Sequence, residues 1–296
     1  MTGRVLVTGY GGFIGRHLCS RLLDGGCTVY GADLRDAKVP GVRHFRLDVS
    51  KAAGYAKLPS KIDSVVHLAA IASIQKAGRD YLRTYDINSV GAYHAAKYAA
   101  EQGAQFILAS SSKVYGAPVL LPVDEGHPLA PANTYGRSKR VAEEFVTAVQ
   151  ADSGLSSCIL RQFNVYGPGQ SEEYFIPSVV SQLRSGDKVM AGDVTLRRDF
   201  LFVRDLVDAY ALIIRRRPEG LSVYNVGGGV SLLLSDVVKT AGRVLGRSPR
   251  IVLDKSRIRA DVTETYSGNA GLSKLGWRPR ISLEDGIRLV SGGASA

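Results

Sequence analysis

Tyr135 and Lys139 stand four residues apart at the head of a stretch, 134–152, whose pattern predicts a helix. That spacing puts both side chains on one helix face. An ammonium beside a phenol lowers its pKa from about 10 toward neutrality, which makes the tyrosine a usable acid or base. A third polar group comes from the hydroxyls of Ser110-Ser111-Ser112, just past the end of a predicted buried strand. On its own the pair is weak, because Tyr and Lys at this spacing also decorate solvated helices. A second pattern strengthens it. Gly9, Gly12 and Gly15 follow a β-branched run and open a helix. Gly9 permits a tight turn, Gly12 lets backbone approach a pyrophosphate at the helix N-terminus, and Gly15 lets the helix pack closely on the strand. Asp33 then ends the next predicted strand, where a carboxylate binds adenosine ribose hydroxyls and repels a 2′-phosphate. This favours NAD. Arg35, two residues on, suits that phosphate instead, so NADP stays open. Asp48, ending the third run, is placed either to reach the adenine or simply as loop polarity.

These residues need a frame. Apolar, β-branched runs at 4–8, 28–33, 43–48, 64–69, 105–110 and 157–161 alternate with helical stretches at 12–24, 79–102 and 134–152. Strands separated in this way imply right-handed βαβ units and an α/β fold with a doubly wound parallel sheet of the Rossmann kind. From Gly167 onward, Pro168, Gly169, Pro177, Gly227-Gly228-Gly229, Pro249 and Pro279 cut the chain into short pieces. The expectation is a dinucleotide-binding domain over 1–166, to which the chain returns around 193–226. A smaller C-terminal α/β substrate lobe over 167–296 is expected to cover the carboxyl ends of the strands.

Composition narrows the partners. Hydrophobic residues make up 45% and charged residues 22%, which excludes disordered, collagenous and coiled-coil classes. The net charge of +11 raises the question of nucleic acid. Its densest cluster, Arg215-Arg216-Arg217, ends an apolar helical run, where cations meet the helix dipole. Basic residues interleaved with stacking aromatics are not evident, so the excess reads as a field favouring an anionic small substrate, and no nucleic acid is expected. Cys19, Cys27 and Cys158 are too few and too scattered for a disulfide frame or zinc site, and no metal is expected. No apolar run approaches the roughly 20 residues of a membrane span, and the N-terminus lacks a signal-peptide core. A cytoplasmic location without a membrane partner follows as the expectation.

Residues 8–15, His67-Leu68-Ala69-Ala70, Asn88-Ser89-Val90-Gly91, the loop 110–116, Tyr135 with Lys139, residues 161–169 and Leu275-Gly276-Trp277-Arg278-Pro279 come in a telling order. In that order the chain resembles the extended short-chain dehydrogenase/reductase family over nearly its whole length. The similarity is to the branch of nucleotide-sugar epimerases, dehydratases and ketoreductases. The resemblance implies Tyr135 as catalytic acid/base, Lys139 as its pKa-lowering, ribose-binding partner, and Ser111 as the hydroxyl that bonds the reacting sugar oxygen. It implies further cofactor contacts from Gly9, Gly12, Phe13, Ile14, Gly15, Asp33, Leu34, Asp48, Val49, Leu68, Ala69, Ala70 and Asn88. For a nucleotide-diphosphate sugar it implies Ser112 and Lys113 beside the substrate, Asn164 near the diphosphate, and Arg198 gripping the same phosphates. It also implies a homodimer built from helices 79–102 and 134–152.

Two departures from the family pattern are informative. The residue two before the loop tyrosine follows the reaction: Glu after Asp in 4,6-dehydratases, Cys in 3,5-epimerising members, small or hydroxylic in 4-epimerases. Here Ser112-Lys113 precede Val114 and Tyr115, so a dehydratase lacks its acid and base and a 3,5-epimerase its thiol. Lys113 either touches an anionic substrate group, such as a uronate or the diphosphate, or turns to solvent. Near the C-terminus Ile258 occupies a position where the family carries a phosphate-binding arginine, and Arg257 or Arg259 substitutes through a one-residue shift. The leading expectation is an NAD-dependent nucleotide-sugar 4-epimerase working through a transient 4-keto sugar. An NAD(P)H-dependent NDP-4-keto-6-deoxysugar 4-ketoreductase is the alternative, and a non-catalytic NAD-binding regulator the third.

Overall fold

The computed structural model describes residues 3–258 and 262–292; Arg259 lies outside the described residues. The chain divides into two compact units. The first holds the described residues up to Ala117, then Pro128–Gln162 and Val207–Asn225. Its strands are β1 (Arg4–Thr8), β2 (Thr28–Asp33), β3 (Arg43–Arg46), β4 (Ser64–His67), β5 (Gln105–Ser111) and β6 (Ser157–Gln162), joined by a seventh, Leu221–Val226, beside β6. Across the sheet the order is Leu221–Val226, β6, β5, β4, β1, β2, β3. Every residue of β4, β5 and β6 is buried, as central parallel strands covered on both faces require. The edge strand β3, Arg-His-Phe-Arg, has no fully buried residue. The strand order reverses between β1 and β4, and ligands in such sheets sit beyond the carboxyl ends at that point.

Helix α1 (Phe13–Asp24) buries Leu18, Cys19 and Leu22. On the sheet, Leu6, Val65, Phe106 and Ile159 pack with Ala92, Ala95, Ala96 and Ala99 from one helix and Ala142 and Val146 from another. The alanines let the first of those helices lie close to the strands. The stretch 79–102, expected as one helix, is instead broken. It contains the end of α2 (Ile74–Arg79), then α3 (Tyr81–Tyr85), a π-helical turn (Asp86–Val90) and α4 (Gly91–Glu101). Asp80 makes the first break: its backbone is extended and its carboxylate accepts the Arg83 N–H at 3.0 Å, as an N-cap does. The π turn makes the second, and it buries both Asn88 and Ser89. Such turns recur at functional sites.

Helix α5 (Thr134–Ser153) starts at Asn133, whose side chain accepts the Gly136 N–H at 2.9 Å, and stops at left-handed Gly154. Its head packs closely on the segment after β5. A Cβ at Gly136 would overlap the Lys113 carbonyl.

The second unit comprises Pro118–His127, Phe163–Leu206 and the chain from Val226 onward. Its strands are short. Asn164–Tyr166 pairs with Phe200–Phe202, and Lys188–Ala191 with Arg250–Leu253, both in parallel. Arg197–Arg198 lies between Leu232–Leu233 and Glu264–Thr265. Helices Phe175–Ser185, Leu234–Leu245 and Leu283–Ser291 complete an α/β unit. Asp199 ties it together, accepting the N–H groups of Gly228, Gly229 and Ser267 and the Ser267 hydroxyl.

Candidate active site

The turn between β1 and α1 is built for an anion. Gly9 has φ +69°, and a Cβ there would sit 2.7 Å from the Ala69 nitrogen. A Cβ at Gly15 would sit 2.5 Å from the Gly9 carbonyl oxygen, so helix and turn meet at backbone distance. Gly12, the N-cap, is different: its missing side chain would meet only that carbonyl, at 3.2 Å. Gly12 also offers no side chain to the first N–H groups of α1, which carry Phe13, Ile14 and Gly15. Free N–H groups at a helix start attract phosphate. The residues present therefore fit a dinucleotide pyrophosphate.

Asp33 is half-buried at the end of β2, its carboxylate accepting the Leu34 N–H at 2.7 Å and the Gly11 N–H at 3.2 Å. Leu34 beside it is 50% exposed, an apolar surface available to a ligand. Asp48 is less free than expected. Its carboxylate accepts the Ser50 N–H and hydroxyl and meets Arg83 at 3.3 Å. Burial works against its charge, but the Ser50 hydrogen bonds and the Arg83 guanidinium outweigh it and hold the carboxyl below its ordinary range. Val49 is buried against Gly91.

Beyond β4, Leu68 and Ala69 lie against Gly9 of the turn, Ala70 follows them, and Asn88 is tied to the next residue, Ile71. Asn88 is fully buried; its carbonyl accepts the Ile71 N–H, and its amide donates to the Ile71 carbonyl and to Ser138 Oγ at 2.9 Å. Ser89 adds a bond to the Ser138 carbonyl. The π turn thus fastens the loop after β4 to the helix that carries Tyr135 and Lys139.

Ser111, Tyr135 and Lys139 belong to adjoining pieces of the first unit. β5 runs one residue further than expected and ends on Ser111, whose Oγ accepts the Lys113 N–H at 3.2 Å. Ser112 and Lys113 form the half-buried turn that follows. Lys139 is 2% exposed, and its ammonium donates to the Ala109 carbonyl at 2.8 Å, two residues before Ser111 on the same strand. Tyr135, one turn earlier on α5, is half-buried. Burial pushes the Lys139 ammonium down to about 8, with the Glu143 carboxylate one turn later opposing the shift.

Glu143 heads a network that spacing did not reveal. It accepts the Ser110 hydroxyl at 2.5 Å and forks with Arg161, whose Nη2 lies 2.7 Å away. Arg161 also donates to the Tyr115 hydroxyl at 3.0 Å, and Tyr115 donates to Asn225. The one signal in the sequence was the four-residue step from Lys139 to Glu143 on a helix.

His67 was likewise missed. It is fully buried, Nδ1 lies 2.9 Å from Thr8 Oγ1, and Nε2 meets no hydrogen-bonding group. Burial, with the Lys139 charge adding to it, pushes the imidazole down to about 3. Folding therefore holds His67 neutral, while the unfolded chain takes up its proton near pH 6.5. Stability from this group is whole above pH 6.5 and is lost as pH falls toward 3. In urea titrations between pH 6.5 and 4.5, wild type is expected to lose about 2 kcal/mol more than His67→Leu. Parallel losses would refute the assignment.

In the second unit, the Asn164 amide donates to the Asp199 carbonyl at 2.8 Å. Arg198 is 6% exposed and donates to the carbonyls of Arg197 and Thr263. Among the described residues no group of three or more His, Cys, Asp and Glu would hold a metal ion, and no helix is long and apolar enough to cross a membrane.

The chain is 30% identical to GDP-6-deoxy-D-mannose reductase of Pseudomonas aeruginosa, over 98% of this chain and 96% of that protein. It is also 30% identical to UDP-glucose 4-epimerase of Streptomyces lividans, over 94% and 92%. Among solved structures, MoeE5 in complex with UDP-glucuronic acid and NAD superposes with a TM-score of 0.88 at 31% identity, covering 98% of both chains. The profile of the NAD dependent epimerase/dehydratase family matches residues 5–227, from β1 through the last strand of the sheet, and the chain belongs to that family.

Proposed function

We propose that this protein is an NAD-dependent nucleotide-sugar 4-epimerase that works through a transient 4-keto sugar. The observation that carries the reading is the placement of Lys139: buried, anchored on the Ala109 carbonyl beside Ser111, and one helical turn from Tyr135. An ammonium fixed there favours the Tyr135 phenolate, which takes the proton from the sugar C4 hydroxyl while Ser111 orients the oxygen. NAD, which the glycine turn 9–15 and Asp33 would hold, would supply the reversible hydride chemistry at C4. Pinned Asp33 favours NAD over NADP, and NAD suits a reaction that consumes no reductant. Asn164, Arg198 and Arg259 are proposed to contact the diphosphate, and Lys113 an anionic group on the substrate. A uronate fits that role, and MoeE5 was solved with UDP-glucuronic acid. The second unit serves as the substrate lobe.

The protein is proposed to act in the cytoplasm in carbohydrate biosynthesis, a reducing setting that suits three buried cysteines outside any disulfide. A homodimer through α4 and α5 is proposed as well. Between these helices runs an open groove lined by Tyr93, Lys97, Ala100 and Ala148.

The 4-ketoreductase is the second reading, supported by the identity to the Pseudomonas reductase. Denaturing the purified protein and weighing the released nucleotides separates the two. Stoichiometric NAD, with 4-epimers forming from UDP-glucose or UDP-glucuronic acid without net redox change, is the expected result. An empty site, with NADPH consumed by a GDP-4-keto-6-deoxy sugar, would overturn it in favour of the reductase.

A further inference from the structure

Tyr10 stands inside the glycine turn, yet binding a pyrophosphate gives a tyrosine there nothing to do. It is wholly buried. Its ring fills a slot left by Gly31 of β2, where a Cβ would sit 2.5 Å from Tyr10 Cγ, and faces His44 of β3 at 5.7 Å between centroids. At the end of the slot the hydroxyl is fully used. It donates to Asp36 Oδ1 at 2.8 Å and accepts the Ala37 N–H at 3.0 Å. With its proton committed to Asp36, the contact to His44 Nδ1 at 3.1 Å requires the imidazole to donate.

The loop held this way is the one that follows Asp33. Asp36 Oδ1 also accepts the Lys38 N–H at 2.8 Å, and Lys38 adopts φ +51°, a conformation that a lysine keeps only where its surroundings enforce it. Ala37 is pressed against Gly11, where a Cβ would lie 2.8 Å from the Ala37 Cβ. Arg16 bridges the Gly11 and Ala37 carbonyls. Asp33, at the root of the loop, keeps its carboxylate on the Gly11 and Leu34 N–H groups. Accepting a 2′-phosphate requires that carboxylate to swing away and exposed Arg35 to swing in, and both residues sit on the tied segment.

We infer that Tyr10 is a positioning residue for cofactor choice: its hydroxyl latches residues 34–38 so that Asp33 faces the ribose and a 2′-phosphate is refused. The inference rests on the dinucleotide site of the proposed function but not on the reaction catalysed there. The test is fluorescence titration of the full-length protein, stripped of bound nucleotide, with NADH and with NADPH. Wild type, Tyr10→Phe and Asp36→Ala are compared. Asp36 is exposed, so its variant leaves the core intact even if loss of the Tyr10 hydroxyl loosens it. Wild type is expected to prefer NADH, and each variant to lower that preference about tenfold, as loss of a hydrogen bond to a charged group implies. The double variant should lower it by less than the product of the two single effects, because the Tyr10–Asp36 bond is common to both substitutions. An unchanged ratio in both variants, or equal weakening of both cofactors, would overturn the latch and leave the cofactor site standing. Wild type that binds neither nucleotide would overturn the cofactor site itself, and the latch with it.

Discussion

Tyr135→Phe is expected to lower turnover about a thousandfold while leaving cofactor and substrate binding within a few-fold of wild type. General acid–base groups typically contribute factors of about 10² to 10⁴, and Tyr135 is the proton carrier in the proposed reaction. The substitution removes one oxygen and keeps the ring. The tie from Ser138 Oγ to the Tyr135 carbonyl at 2.8 Å belongs to the backbone and survives. Losing a group that acts only in the transition state lowers kcat and kcat/KM together. Single-turnover formation of reduced nicotinamide from bound NAD and substrate reads the step directly. A variant that kept a tenth or more of the wild-type rate would remove Tyr135 from proton transfer.

Tyr135 and Lys139 were legible because helical spacing is local: four residues along the chain is one turn in space. The glycine turn and Asp33 were legible for a related reason, since strand, turn, helix and strand follow each other without interruption. Residues that act across distant segments left no such trace. Tyr10 finds Asp36 and His44 at separations of 26 and 34 residues, and Glu143 meets Arg161 on a different element. Nothing in a linear reading pairs them. The expected helix over 79–102 failed for a mixed reason. Asp80 inside a helical pattern is a readable capping signal, since its carboxylate caps α3. The π turn at Asp86–Val90 has no composition that separates it from ordinary helix, because it exists to bury Asn88 and Ser89 against a helix dozens of residues later.

Glu143 and Arg161 should matter more to the fold than any other ion pair described in the molecule. Their side chains are 6% and 7% exposed, whereas the other described pairs keep at least one partner more than a third exposed. Exposed pairs contribute at most about 1 kcal/mol. A buried pair carries a desolvation cost that attraction roughly offsets, so breaking it strands a charge, at about 3–5 kcal/mol. Burial disfavours the Arg161 charge, but the Glu143 carboxylate, with the Tyr115 hydroxyl adding to it, outweighs burial and holds the guanidinium pKa above its ordinary range. Glu143→Gln is therefore expected to cost about 3–5 kcal/mol in urea unfolding, and Arg161→Met a similar amount. Glu143→Leu combined with Arg161→Met should recover most of the loss, since neither charge is then buried alone. Additive losses in the double variant would mean that the two residues stabilise the fold separately. A second effect distinguishes Glu143 from a purely structural residue. Its charge raises the Lys139 pKa against burial, so removing it lets that ammonium deprotonate at lower pH. The proton assists Tyr135 only while it is present. The alkaline limb of the rate profile should therefore begin below pH 8 in Glu143→Gln, whereas a variant damaged only in packing would lose rate equally at every pH.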